Sequence, residues 1–239
     1  MHGQRLSTPK IGKIVYHFWE VTLANKIGAV TARNLKYSEY ILEHIGKSSV
    51  VLDVGCGVGP FSVTCAKKGV QVVSMDFDSE VLRYVPKIEG INRICCNAQN
   101  LPIKPESVDL VLAISILEHL KNPELALGEF QQVLRARGLL IIQMPNIGYF
   151  IEPHTKFPLI FLLPSFIKDK INLQTFVYYY INFSLSIKRL LRLLLPLFVV
   201  KEIKPYYHRL KTPPWPPSWI ILAQKKLPNN LTCASRRER

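Results

Sequence analysis

Three glycines alternate with other residues directly after an apolar stretch that contains a single acid. Residues 50–59 read VVLDVGCGVG. Glycine adopts positive φ angles easily and, because it has no Cβ, lets a ligand come close to the backbone. A strand that leads through such a turn into a helix is typical of nucleotide-type cofactor sites. The segment therefore predicts a cofactor site that includes Asp53, Gly55, Cys56, Gly57 and Gly59.

The spacing of these glycines indicates which cofactor fits. A dinucleotide fingerprint requires G-x-G-x-x-G, whereas here the third glycine comes one residue early and Pro60 follows it. The spacing argues against an NAD-dependent dehydrogenase. Taken alone, the loop is also compatible with an ordinary tight turn between a strand and a helix, so the prediction depends on residues further along the chain.

A second acid lies at the distance that ribose recognition requires. Asp76 follows the apolar stretch 70–75 and lies 19 residues after Gly57. An acidic side chain about 20 residues past the glycines accepts hydrogen bonds from the hydroxyls of a nucleoside ribose. Phe77 adjoins Asp76 and is predicted to line the same site. Asp78 is predicted instead to cap the helix that follows it.

Two further segments resemble class I S-adenosylmethionine (SAM) methyltransferases. Residues 97–102 read NAQNLP, which is similar to that family's D-A-x-x-L-P-F, whose acid binds the adenine amino group. Asn97 stands in place of the acid, and its amide oxygen is still able to accept a hydrogen bond from adenine. Residues 114–120 read ISILEHL and resemble the L-E-H segment of methyltransferases related to the ubiquinone/menaquinone (Methyltransf-11) group.

On these motifs, residues 48–146 are similar to the class I SAM-dependent methyltransferases, and residues 219–226 resemble the family's last strand more weakly. The resemblance implies SAM as the cofactor, bound by the glycine-loop residues given above and by Asp76, Phe77, Asn97, Ala98 and Ser115. Some members carry an additional Glu three residues before the Glu of L-E-H and hold a divalent metal. Ser115 occupies that position here, so no metal site is predicted.

Two histidines are candidates for a general base. Methyl transfer from SAM is an in-line displacement, and a base is needed only when the acceptor is a hydroxyl or a similar acid. His119 belongs to the L-E-H segment, where the alternative role is to orient the loop after the fourth strand. His154 follows the fifth strand and has Glu152 nearby. A histidine at either position is able to accept a proton near neutral pH.

Strand-like and helix-like segments alternate from residue 50 to residue 144, with a helix expected at 123–136, a stop at Gly138 and a strand at 139–144. This alternation predicts an α/β fold with a doubly wound, mostly parallel, seven-stranded Rossmann-like sheet and an α-helical insert before the last β-hairpin. The expected regions are a helical cap (1–46), the SAM-binding core (47–146), an acceptor-side helical insert (147–197), the C-terminal hairpin (198–228) and a basic tail (229–239).

The insert has two open interpretations. Residues 176–200 are long enough to span a bilayer, but three cations inside this stretch are too costly at bilayer depth. On a helical wheel Ser184, Lys188 and Arg192 share one face. The opposite face is apolar and consists of Phe183, Ile187, Leu190, Leu191 and Leu194. Such a helix lies either on an anionic membrane surface or against the domain with its charges in water.

The basic residues are concentrated in the last third of the chain. Residues 151–239 hold 15 of the 31 Lys and Arg but only 4 of the 17 Asp and Glu. This excess would attract an anionic membrane surface or nucleic acid. Nucleic acid is the less expected partner, because the cations alternate with aliphatic runs instead of stacking aromatics. The cysteine spacing, which is not that of a secreted protein, and the absence of an apolar leader predict a cytoplasmic protein, with a peripheral position at the inner membrane face as the open alternative.

The sequence thus predicts a SAM-dependent methyltransferase. The expected acceptor is a small-molecule, lipid-linked or glycan-precursor compound that undergoes O- or C-methylation. The alternative is a SAM-fold binding protein with little catalysis, whose basic C-terminal third binds a membrane, nucleic acid or a protein partner.

Overall fold

The computed structural model describes residues 32–146, 148–149, 162–164, 166–167, 182, 184–206 and 216–227. The helices in these ranges are α1 (Ala32–Glu43), α2 (Pro60–Ala66), α3 (Ser79–Leu82), α4 (Pro123–Val133) and α5 (Ile187–Leu194), with a 3-10 turn at Leu117–His119. The strands are β1 (Val50–Val54), β2 (Gln71–Asp76), β3 (Ile91–Cys95), β4 (Val108–Ile114), β5 (Leu134–Pro145), β6 (Phe198–Tyr206) and β7 (Ser218–Lys225).

The seven strands form one sheet in the order β3-β2-β1-β4-β5-β7-β6. Strands β1 to β5 are parallel to one another, whereas β7 is antiparallel to both β5 and β6. The strand order reverses between β1 and β4, and an open α/β sheet leaves a ligand crevice at the carboxyl ends of the strands at such a point. The predicted doubly wound, mostly parallel α/β fold is confirmed.

Helices cover both faces of the sheet, so the central strands are apolar on both sides. Helices α4 and α5 pack on one face, in a cluster that includes Leu52, Val111, Phe130, Leu190 and Phe198. Helices α1 and α2 pack on the other face, in a cluster that includes Tyr37, Ile41, Val51, Cys65 and Ile141. Buried polar residues on this second face include Asp53 on β1 and Ser74 on β2.

Helix α1 contacts strand β6, which lies much later in the chain. The Tyr40 hydroxyl donates a hydrogen bond to Glu202 Oε2 on β6 at 2.7 Å, and Lys204 Nζ lies 2.9 Å from the other oxygen of that carboxylate. Burial, together with the bond to Glu202, raises the pKa of Tyr40. The rings of Tyr37 and Tyr206 stack with their centroids 4.0 Å apart. The helix is thereby fixed against the last hairpin of the sheet.

The boundary between α4 and β5 differs from the sequence prediction. Helix α4 ends at Val133, and β5 begins at Leu134 instead of residue 139. Leu134 is fully buried and pairs with Val108 before a shift in the register of the two strands. Gly138, which was expected to end the helix, lies within the strand. The cross-strand pairing and burial of Leu134 favour extended backbone over another turn of helix.

Helix α5 is the one helix of the expected insert whose packing the described residues establish, and it packs on the core. Leu190 and Leu194 are fully buried in the cluster that contains α4 and β6, whereas Lys188 and Arg192 on the opposite face are exposed. The Ser186 side chain caps the helix by accepting the amide hydrogen of Arg189. Because the apolar face contacts the domain, it cannot at the same time enter a bilayer.

One prediction for the insert is corrected accordingly. The amphipathic helix begins at Ile187, and it belongs to a layer on the face of the sheet, beside α4. The predicted acceptor-side position of the region 147–197 stays a prediction. Phe183 and most of residues 147–181 lie outside the described residues. None of the helices in the described part of the chain is long and apolar enough to cross a membrane.

The packing of α5 generates a matched pair of variants. Leu194 is fully buried and its neighbour Leu195 is 53% exposed. We expect Leu194→Ala to lower the free energy of unfolding by about 2–5 kcal/mol through lost burial and cavity formation, and Leu195→Ala to change it by less than about 0.5 kcal/mol. Urea denaturation followed by circular dichroism measures both. Equal effects of the two substitutions would contradict the packing described for α5.

Candidate functional site

The glycine loop leads from β1 into α2 through three left-handed positions that alternate with other residues. Gly55, Gly57 and Gly59 have φ angles of 67°, 55° and 80°. The Cys56 amide donates to the Met75 carbonyl at 2.9 Å, which attaches the loop to the end of β2. The Gly59 amide donates to the Cys56 carbonyl at 2.9 Å and closes the turn before Pro60 starts the helix. Positive φ angles at these positions explain why glycine is required there.

Asp76 connects this loop to the end of the second strand. Its Oδ2 accepts the Gly57 amide hydrogen at 3.0 Å, and its Oδ1 accepts the Asp78 amide hydrogen at 2.9 Å. Burial raises the pKa of Asp76, although these backbone hydrogen bonds act in the opposite direction. A carboxylate oxygen has more than one lone pair. Both oxygens are therefore still able to accept a hydroxyl hydrogen from a ribose at this edge.

Two neighbours of Asp76 occupy the positions that the sequence predicts. Phe77 is 77% exposed at the carboxyl end of β2, so its ring offers a free aromatic surface next to the carboxylate. Asp78 caps α3, since its side chain accepts the Glu80 amide hydrogen at 2.9 Å. The two acids of the D-F-D segment thus have different local functions.

Asp53 lies beneath the glycine loop instead of on its surface. The side chain is 1% exposed, and its Oδ2 accepts a hydrogen bond of 2.6 Å from the Ser62 hydroxyl on α2. Ser74 on β2 donates in turn to Ser62 Oγ at 2.7 Å, and both serines are completely buried. Burial raises the pKa of Asp53 to about 6, with the two contacts from Ser62 opposing that shift and the negative charge of Asp76 adding to it.

The charge of this region distinguishes between ligand classes. The charge of Asp76 raises the pKa of Asp53, so the two carboxylates act on each other at this end of the sheet. A carboxylate favours a cationic group of a ligand over an anionic one. This charge suits a nucleoside that carries a positively charged end.

The loop after β4 covers the glycine loop. Ser115 has a φ of 52°, which is unusual for a residue with a side chain, and its hydroxyl donates to Gln143 Oε1 on β5. The next side chain, Ile116, lies 2.8 Å from where a Cβ on Gly55 would be. Ser115 is exposed while Gln143 is buried. This loop therefore brings the ends of β1, β4 and β5 together at the crevice.

Asn97 and Ala98 lie at the end of the third strand. The Asn97 Oδ1 atom accepts the Gln99 amide hydrogen at 2.9 Å, and the Asn97 side chain is exposed. Ala98 is buried in the core cluster below it. The same loop is fastened to α4, because Glu129 accepts the Leu101 amide hydrogen at 2.8 Å. Asn97 Oδ1 has a second lone pair, and the predicted contact with adenine would use it.

Of the two histidines predicted as candidate bases, the structure describes one. His119 lies in the 3-10 turn after β4, with its Nε2 3.9 Å from the buried carboxylate of Glu118. This position agrees with an orienting role, and it leaves the proposed role as a base untested. His154 lies outside the described residues. No group of His, Cys, Asp and Glu within the described ranges is arranged to hold a metal ion.

Four residues of the site are absent from the sequence prediction. Ser62 and Ser74 bind Asp53, and Gln143 binds Ser115, as described above. Asn182 donates its backbone amide to the Glu118 carbonyl at 2.6 Å and its side-chain amide to the Leu120 carbonyl at 3.1 Å, so it fixes the L-E-H turn. A serine, glutamine or asparagine inside an otherwise apolar stretch was the available signal for these residues.

Comparison with known proteins identifies the core. The family described as a methyltransferase domain matches residues 52–142. This segment runs from β1 into β5 and includes the glycine loop, Asp76, Asn97 and Ser115. A probable S-adenosylmethionine-dependent methyltransferase of Mycobacterium tuberculosis is 33% identical over 100 residues, which are 40% of this chain and 35% of the relative. A ubiquinone biosynthesis O-methyltransferase of Parvibaculum lavamentivorans is 32% identical over 100 residues, 40% of each protein.

The similarity to solved structures extends beyond that core. The crystal structure of an S-adenosylmethionine-dependent methyltransferase from Mesorhizobium loti has a TM-score of 0.64 at 15% identity, over 81% of this chain and 98% of that chain. The aligned segment spans about two fifths of the length of the curated relatives. Residues 52–142 match the methyltransferase-domain family, the relatives include S-adenosylmethionine-dependent methyltransferases, and the fold is that of this class. These similarities indicate SAM as the cofactor of the matched domain.

The close approach of Ile116 to Gly55 yields a prediction about the loop. We expect Gly55→Ala to lower the free energy of unfolding by about 1–3 kcal/mol, because the new Cβ meets Ile116 and the φ of 67° disfavours a side chain. Gly128 lies in α4 with no atom within 4 Å of an added Cβ. Gly128→Ala is therefore expected to raise the free energy of unfolding by about 0.5–1 kcal/mol. Thermal and urea unfolding of both variants measure these opposite shifts, and shifts of the same sign would contradict the geometry of the loop.

Proposed function

We propose that this protein transfers the methyl group of SAM to an oxygen or carbon atom of a small-molecule, lipid-linked or glycan-precursor acceptor. The observation that carries the proposal is the meeting of the glycine loop, Asp76, Phe77, Asn97 and Ser115 at one edge of the sheet, within a domain of the methyltransferase family. These side chains come from four different strand ends, so only the folded sheet brings them together.

The chain's own residues support a specific mode of cofactor binding. Asp76 is proposed to accept hydrogen bonds from the ribose, and the exposed ring of Phe77 to stack on adenine. Asn97 and Ala98 are proposed to contact the adenine edge, and Ser115 to lie beside the donor at the end of β4. The glycine loop, with Asp53 beneath it, would receive the amino-acid end, because this end carries an ammonium group that two carboxylates attract.

The proposed catalysis depends mainly on positioning. SAM supplies a methyl group that is already activated by a positively charged sulfur. The residues at the ends of β1, β4 and β5 would hold donor and acceptor in line and exclude water, which is the principal contribution that such a transfer requires. If the acceptor is a hydroxyl, His154 or His119 is proposed as the general base. One similar protein is a ubiquinone biosynthesis O-methyltransferase, which supports an oxygen acceptor.

A second role concerns the basic part of the chain. Lys188 and Arg192 on α5 are exposed, and Leu195 and Val199 expose apolar surface just after them. This combination favours contact with an anionic membrane surface, as a lipid-linked acceptor or a peripheral cytoplasmic location would require. The alternative function is a SAM-fold protein that binds such a partner with little catalysis. Nucleic acid is the less favoured partner.

Cofactor binding is the first property to test. We expect SAM and S-adenosylhomocysteine to bind with micromolar affinity in calorimetry, and Asp76→Ala to abolish this binding through loss of the ribose contacts. Asp78→Ala is the matched control, since it removes a helix cap worth about 1 kcal/mol but no proposed ligand contact. Binding of NADH without SAM would overturn the assignment.

An activity assay separates an enzyme from a binding protein. We expect labelled methyl to be transferred from SAM into lipid or small-molecule extracts by the wild-type protein and not by Asp76→Ala.

Membrane contact is tested with liposomes. We expect co-sedimentation with anionic liposomes that weakens as salt is added, since each cation near such a surface contributes about 1 kcal/mol. The double variant Lys188→Glu/Arg192→Glu should lose most of it. The control is Lys67→Glu/Lys68→Glu, which changes two exposed cations at the end of α2. Equal, negligible sedimentation with anionic and neutral liposomes would mean that α5 is only a packing element.

A further inference from the structure

We propose that Ser62 and Ser74 are positioning residues of the cofactor site, which hold the buried Asp53 carboxylate in its charged form beneath the glycine loop so that it attracts the ammonium group of the cofactor. The inference rests on the proposed function, because it assumes that SAM or its product binds at this loop. It assigns a role to two side chains that the family motifs do not include.

The direction of the hydrogen bonds supports this role. The Ser74 hydroxyl donates to Ser62 Oγ at 2.7 Å, and the Ser62 hydroxyl donates to Asp53 Oδ2 at 2.6 Å. Each donated hydrogen therefore points towards the carboxylate. Hydrogen bonds donated to a carboxylate favour its ionised form, and a chain of them is polarised along its length. Ser74 pairs directly with Asp53 across β1 and β2, so the sheet register fixes the arrangement.

The apolar surroundings of Asp53, Ser62 and Ser74 argue against a purely structural role, because burying these polar groups costs free energy. The face between α2 and the sheet is otherwise apolar, and Val51, Cys65 and Val72 lie in it almost fully buried. A buried carboxylate costs desolvation that apolar residues of similar volume would avoid. Asp53 nevertheless lies two residues before the first glycine of the loop. Its placement is explained if a cationic ligand above the loop offsets the cost.

The titratable groups that face Asp53 are acids. Asp76 on β2 disfavours its ionisation, and Cys65 on α2 has a pKa raised to about 12 by burial and by the charge of Asp53. In the protein without ligand, the Asp53 carboxyl takes up a proton as the pH falls through about 6. A bound cation favours the charged form. Affinity for the cofactor should therefore rise as the pH increases through this range and become constant above it.

The test uses S-adenosylhomocysteine and 5′-methylthioadenosine, which is the same nucleoside thioether without the amino-acid end. Calorimetry between pH 5.5 and pH 8 should show that wild-type affinity for S-adenosylhomocysteine rises with pH. Ser62→Ala should weaken this affinity roughly tenfold at pH 6.5 and move the rise to higher pH, because a hydrogen bond to a charged group is lost. Ser62→Thr, which keeps the hydroxyl, should restore both, and Ser74→Ala should have a smaller effect in the same direction.

Three controls separate this role from a loss of structure. Thr64→Ala removes another hydroxyl of α2, which donates only to the Pro60 carbonyl, and should leave binding unchanged. Asp53→Asn keeps the shape of the side chain and should remove the contribution of Asp53 to the pH dependence, so that only the contribution of Asp76 remains. Affinity for 5′-methylthioadenosine should be almost the same in wild type and Ser62→Ala, because this ligand has no ammonium group.

The outcomes are distinguishable. Equal losses for both ligands in Ser62→Ala, or in Ser74→Ala if Ser62→Ala does not fold, would overturn the proposal and leave the serines a packing role. A pH profile that is unchanged in Asp53→Asn would also overturn it. Failure of wild-type protein to bind either ligand would overturn the proposed function itself, together with this inference.

Discussion

The hydrogen bond from the Gly57 amide to the Asp76 carboxylate joins the two strand ends on which the site is built. Parallel strands end at the same edge of a sheet, but their loops are separate in sequence and need a direct connection to act as one surface. Asp76 provides it by binding the glycine loop with one oxygen and the start of α3 with the other. The ligand surface therefore depends on a carboxylate that is itself a structural link.

Burial and hydrogen bonding have opposite effects on the pKa values of the two carboxylates at the site. Asp53 and Asp76 are both placed where burial opposes ionisation, and hydrogen bonds from Ser62 and from backbone amides counteract that effect. An apolar residue of similar volume in place of Asp53 would avoid the cost of desolvating a buried carboxylate. The protein instead keeps two carboxylates near the carboxyl ends of β1 and β2, where the charge of Asp76 disfavours ionisation of Asp53 and a bound cation would favour it.

The sequence predicted the parts of this structure that local patterns determine. The glycine turn, the Asp78 cap and the alternation of strands and helices follow from residue types over short distances. The sequence did not reveal that Ser62 and Ser74 bind Asp53, or that Gln143 binds Ser115, because these contacts depend on strand register and helix placement. The amphipathic pattern of α5 was correct, but a wheel shows only that one face is apolar. It cannot show whether that face contacts a core or a bilayer.

The bond between Tyr40 and Glu202 joins residues 162 positions apart in the chain. During synthesis, the surface that receives α1 is incomplete until β6 has left the ribosome. At about 5–20 residues per second this takes roughly ten to thirty seconds after α1 itself emerges. In that interval the apolar side of α1, with Tyr37 and Ile41, has no completed surface to cover it. The last hairpin thus sets the moment at which the nascent domain covers the apolar side of α1.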